Sequence, residues 1–137
     1  MRALLAELET LGSTLKRKEP RYADFGYKER TRFERLLFLI LKEYCAKKLD
    51  YEDLGGLSHV HRSRFRRLVA EEKSSAVEFR IAEEGFQIYA QLYELCTAHI
   101  YDPGRTVTRL GRDATQVLVQ IAEQVEGFIR EVCNSYF

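Results

Sequence analysis

Between Arg112 and Tyr136, apolar residues recur at Val117, Leu118, Ile121, Val125, Phe128, Ile129, Val132 and Tyr136. That spacing follows the 3.6-residue turn of an α-helix and not the two-residue alternation of a strand. A helix with so broad a stripe must bury a whole side against other elements, which commits the chain to helix-on-helix packing.

Three more segments carry the same period. Ser75 to Tyr101 reads as one long helix, with Val77, Ile81, Ile88, Leu92, Leu95, Cys96 and His99 in register and Phe79, Phe86, Tyr89 and Tyr93 widening the face. Gly85 falls inside that stripe; it costs helix stability there and permits another helix to approach closely. Asp102-Pro103-Gly104 is turn chemistry, "RTVTRL" is assigned to the loop, and the last two helices are predicted to form an antiparallel hairpin. Stripes this wide predict a homodimer through residues 76–136. Tyr27 to Lys48 carries Phe33, Leu36, Leu37, Ile40, Leu41 and Tyr44 and should be a central helix. Ala3 to Leu15 places Leu4, Leu8, Leu11 and Leu15 on one side, to pack on the domain or on a second chain. The predicted fold is an all-α bundle of five or six helices ending in a long helical hairpin. It divides into 1–25, a basic half 26–73, and the hairpin 74–137.

At 137 residues the chain is one domain, large enough for a continuous core. The longest apolar run, Leu36 to Leu41, is too short to span a bilayer, so no membrane association is expected. The opening "MRALLAELETLG" has acidic residues and no cleavable apolar segment. Cys45, Cys96 and Cys133 are odd in number and far apart, which fits core thiols in a reducing, cytoplasmic setting.

Catalytic patterns are not evident. His59 and His61 stand two apart and lack a metal-completing partner, and the Cys96–His99 pair lies on an apolar face unsuited to a thiolate. Glu83 and Glu84 are adjacent and therefore splayed, and no phosphate-binding glycine loop or G-x-S-x-G occurs. The expectation is no enzyme, no metal and no cofactor. The eight tyrosines and eight phenylalanines could stack on single-stranded nucleic acid, but most fall on the apolar stripes.

Charge points elsewhere. The net charge is +1, yet residues 1–73 hold 17 Lys and Arg against 12 Asp and Glu, and residues 74–137 hold 5 against 9. The basic excess centres on "DYEDLGGLSHVHRSRFRRLV", residues 50–69. Asp50 and Asp53 have capping-box spacing for a short helix to about Leu57, and a second helix from about Arg62 to Glu72 would turn Phe65, Leu68 and Val69 inward. With Leu54, Gly55, Val60, Phe65 and Leu68 at their spacings, the stretch resembles the helix-turn-helix motif of DNA-binding regulators. It departs from that pattern at His59, where the turn usually has glycine, and at Gly56 inside the first helix. A rival parse makes Gly55 and Gly56 a helix C-cap and Ser58 an N-cap.

The resemblance implies a second helix in the major groove, with His61, Arg62, Ser63 and Arg66 toward base edges and Arg62 and Arg66 able to donate paired hydrogen bonds to guanine. Arg64 and Arg67, helped by Lys16, Arg17 and Lys18, would hold the phosphates. The bland reading of these arginines is a solvated helix face, partly paired with Glu71 and Glu72. The sequence thus supports a small DNA-binding regulator. It leaves open a helical adaptor or inhibitor acting on a protein partner, of the kind small viral and mobile-element proteins supply, and an accessory subunit that contacts nucleic acid without reading sequence.

Overall fold

The computed structural model describes residues 1–17, 27–49, 67, 77–101 and 112–137, with backbone only for Lys16, Arg17, Tyr27 and 96–101. Four helices make up nearly all of it: α1 (Arg2–Arg17), α2 (Tyr27–Lys48), α3 (Val77–Tyr101) and α4 (Ala114–Tyr136). No strand occurs among the described residues. The all-α reading stands. The count of five or six is not matched by the four described helices, and the two short helices expected between Tyr51 and Glu72 lie outside the described residues. Within that stretch only Arg67 is described, and it is helical and exposed.

Long-range polar contacts fix the directions. The Met1 ammonium lies 3.3 Å from Glu43, and Arg32 donates to Glu7 at 3.0 Å, so α1 and α2 run antiparallel. Gln91 donates to Gln124 at 2.9 Å and Arg112 to Glu94 at 3.0 Å, which makes α3 and α4 the expected antiparallel hairpin. The Tyr44 hydroxyl meets Ser135 Oγ at 2.9 Å, placing the C-terminal ends of α2 and α4 together. Each helix flanks two others in the order α1, α2, α3, α4 and back to α1, and α2 also meets α4 across the core. This is an up-and-down four-helix bundle.

Local chemistry sets the ends. Asp113 caps α4, its carboxylate accepting from the Gln116 amide at 2.9 Å, so the helix starts two residues later than the apolar period suggests. At the other end Lys47 donates to the Tyr136 carbonyl at 2.9 Å, and its ammonium stands 3.9 Å from the Tyr136 ring centroid. A cation there satisfies a terminal carbonyl and complements the helix dipole. Arg2 stacks over Phe137 at 4.2 Å, so both chain ends are held at one pole of the bundle.

The core joins all four stripes. Leu8, Leu37, Ile40, Tyr44, Leu92, Leu95, Leu118, Ile121 and Val125 are fully buried in one cluster. Phe86 and Tyr89, which broadened the α3 stripe, are buried too, their ring centroids 6.2 Å apart. The α1 helix settles its ambiguity by packing on α2 and α4 of its own chain. The same packing covers the hairpin stripes whose width argued for a second copy; among the described residues the exposed large apolar side chains are Val77, Val119 and Phe137. Cys45 is buried as expected of a core thiol, whereas Cys133 is exposed, a correction to the apolar placement its neighbours suggested.

Gly85 is where the bundle closes. A Cβ on it would stand 2.7 Å from Leu41 Cδ2 on α2 and 2.9 Å from Phe128 Cε2 on α4, closer than carbon atoms can approach. Both side chains are 1% exposed and have nowhere to move. Gly127 is the opposite case, with nothing within 4 Å of an added Cβ. Gly85→Ala should therefore lower unfolding free energy by ~1–2 kcal/mol, overpacking outweighing the helix-propensity gain. Gly127→Ala should raise it by ~0.5–1 kcal/mol, from propensity alone. Urea denaturation of the two variants reads both signs, and a shared sign would refute the assignment.

Candidate functional site

The bundle has two unlike ends. Antiparallel packing gathers the end of α1, the start of α2, the end of α3 and the start of α4 at one pole. Met1, Leu49, Val77 and Phe137 lie at the other, from which the chain between residues 50 and 76 leaves and to which it returns. Of the expected nucleic-acid contacts, Lys18, His61, Arg62, Ser63, Arg64 and Arg66 lie outside the described residues. Arg67 is exposed, consistent with a solvent-facing position on a helix. Lys16 and Arg17 occupy the last turn of α1, at the pole away from the attachment points of residues 50–76. The structure thus separates the α1 cations from the anchors of the stretch they were expected to assist, by about the length of α2, roughly 33 Å at 1.5 Å per residue.

The described helices extend the charge asymmetry into a surface property. The α2 helix carries seven Lys and Arg against three acids; α3 carries one against four and α4 one against three. Because α2 and α4 stand diagonally, their outer faces point to opposite sides. Lys28, Arg32, Arg35, Lys42, Lys47 and Lys48 are exposed on α2. Arg32 is partly neutralised by Glu7, an exposed pair worth little to stability. On the opposite side Glu84, Glu123, Glu126 and Glu131 are exposed with Arg80 and Arg130. The basic helix runs directly into the basic stretch at 61–67, and the acidic helices follow it.

The seam between α3 and α4 holds a polar feature that stripe reading missed. Glu94, 7% exposed, is the buried acid of the core. Arg112 donates to both its oxygens, at 3.0 and 3.5 Å, and to Gln120 at 3.2 Å. Burying a carboxylate is costly without a charged partner, and Arg112 supplies one just before α4 begins. One turn back along α3, Gln91 is joined to Gln124. The signal was available: Glu84, Gln87, Gln91 and Glu94 recur at three- and four-residue steps beside the apolar stripe.

Thiol and metal chemistry are confined. Burial pushes the Cys45 thiol up to about 12, so it carries no thiolate at neutral pH. Burial also raises Tyr44, against the lowering effect of its bond to Ser135. The Cys96 and His99 side chains lie outside the described set. Among the described residues no group of three or more His, Cys, Asp or Glu could hold a metal ion, and no helix is long and apolar enough to cross a membrane. Comparisons with family models, curated proteins and solved structures find no match to this chain.

Arg112→Ala leaves Glu94 buried without its cation and should cost ~1–3 kcal/mol, read by urea denaturation. The double variant Glu94→Gln/Arg112→Ala should recover part of that loss. In a Cys96→Ser background, Cys133 should react with a disulfide reagent in the native state and Cys45 only after unfolding, as counted by thiol titration.

Proposed function

We propose that this chain is a small, non-enzymatic regulatory protein that binds duplex DNA through the basic stretch at 61–67, borne by a helix-turn-helix-like element at 50–69. The observation that carries this reading is the charge partition. The exposed cations of α2 lead into that stretch, and the acidic residues gather on the far side of the bundle. A surface with one basic side aligns on a polyanion and is repelled from it in the opposite orientation. The exposed, helical Arg67 fits a backbone-contacting position on the second helix of the motif.

The bundle supplies a rigid support for such an element. Residues 50–76 are anchored at both ends at one pole, beside the contacts that hold Met1, Lys47 and Phe137. Arg62 and Arg66 would read guanine, and Arg64 and Arg67 would hold phosphate. A homodimer would place two such helices on a two-fold site. The acidic outer face of α3 and α4 favours a second reading, a helical adaptor whose partner brings basic side chains.

The test is a salt titration of binding to random duplex DNA, for the native chain and for Arg62→Ala/Arg66→Ala. Affinity should fall steeply with salt, and the double variant should bind more weakly with a slope smaller by about two phosphate contacts. Stoichiometry per duplex reports whether one copy binds or two. No binding at low salt would end the DNA reading and leave the adaptor.

A further inference from the structure

The α3–α4 seam is a ladder of cross-helix polar rungs, and one rung is missing. Starting where the hairpin turns, the first rung is Glu94 with Arg112 and Gln120, and the second is Gln91 with Gln124. The next step along α4 is Gly127, which offers no side chain and has open space where its Cβ would be. A groove of about 190 Å³ lies there, lined by Glu84, Gln87, Ile88, Gln124, Gly127 and Phe128. At ~30 Å³ per water this is room for about six waters, or for a small organic group. Its floor is apolar, since Ile88 and Phe128 are each 1% exposed.

Beyond the gap the ladder ends in like charges. Glu84 on α3 and Glu131 on α4 face the same seam, and neither makes an ion pair among the described residues. Burial raises the Glu84 carboxyl above its ordinary value, Glu131 adds to the rise, and Arg80 one turn back offsets part of it. The groove therefore offers an apolar floor, a side-chain-free backbone at Gly127, amide groups at Gln87 and Gln124, and negative charge at one end. A metal ion is a poor match, because no group of three candidate ligands occurs there. An alkyl chain ending in a cation matches each feature.

We propose that the groove over Gly127 is a binding site for an alkylguanidinium or alkylammonium group, its hydrocarbon on Ile88 and Phe128 and its cation beside Glu84 and Glu131. The same chemistry comes from a free small amine or from an arginine or lysine side chain of another protein. Like the groups it would replace, the cation completes the ladder with a charge-assisted rung.

The test is a titration followed by amide chemical shifts, using n-butylguanidinium chloride, its neutral analogue n-butylurea, and an acetylated, amidated Gly-Arg-Gly tripeptide. The guanidinium should move the amides of Gln87, Gln124 and Gly127, and the urea should bind at least about fivefold more weakly, the scale of one partly exposed ion pair. Glu84→Gln should weaken the guanidinium by a similar factor. Gly127→Leu should fill the groove and abolish binding while the melting transition shows the variant folded. Tighter binding of the tripeptide would assign the site to a partner's side chain, and tighter binding of butylguanidinium to a free small cation. Equal affinity for the urea, unchanged affinity in either variant, or no shifts at any ligand concentration would overturn the proposal.

Discussion

At Gly85 three helices meet across the space of one absent methyl group. Leu41 from α2 and Phe128 from α4 both enter it, and so the central helix, the hairpin and the diagonal of the bundle share a single point of contact. Close-packed interiors tolerate little change in volume, so that contact fixes how far α3 sits from its neighbours along its whole length. The register of the polar seam follows from it. Glu94 reaches Arg112, and Gln91 reaches Gln124, because α3 and α4 are locked at the height of Gly85 and Phe128.

Much of this was legible in the sequence. The bounds of α2, Tyr27 to Lys48, follow from its stripe, and the hairpin follows from two long periodic segments separated by Asp-Pro-Gly. Gly85 was legible because a glycine inside an apolar stripe is costly unless something approaches it closely. The partners of long-range pairs were not. Arg32 with Glu7 and Met1 with Glu43 depend on which helices become neighbours, and periodicity gives each helix a face without choosing what covers it. That is also why stripe width suggested a second copy, when α1 and α2 cover the hairpin within one chain. Glu84 was read only beside Glu83, as a splayed pair; its relevant neighbour is Glu131, 47 positions away in the sequence and across the seam.

Charge links the bundle to its proposed role. The apolar core is shared evenly among the helices, but the ionic surface is not: α2 is basic, and α3 and α4 are acidic. Such a partition adds little to folding free energy, because exposed ion pairs are weak and screened. Its consequence is orientation, with one side suited to a polyanion and the other to cations. The cations at Lys16 and Arg17 belong to the pole away from the attachment of residues 50–76, so α2, and not α1, is the described basic surface continuous in sequence with that stretch.

The central structural claim is that α2, α3 and α4 converge on Gly85. The direct measurement is a nuclear Overhauser spectrum of the methyl- and aromatic-labelled protein, observed from the Gly85 α-protons. Cross-peaks to both the Leu41 methyls and the Phe128 ring are the expected result. A cross-peak to only one of them, or to neither in a folded chain, would contradict the packing on which the seam and its groove depend.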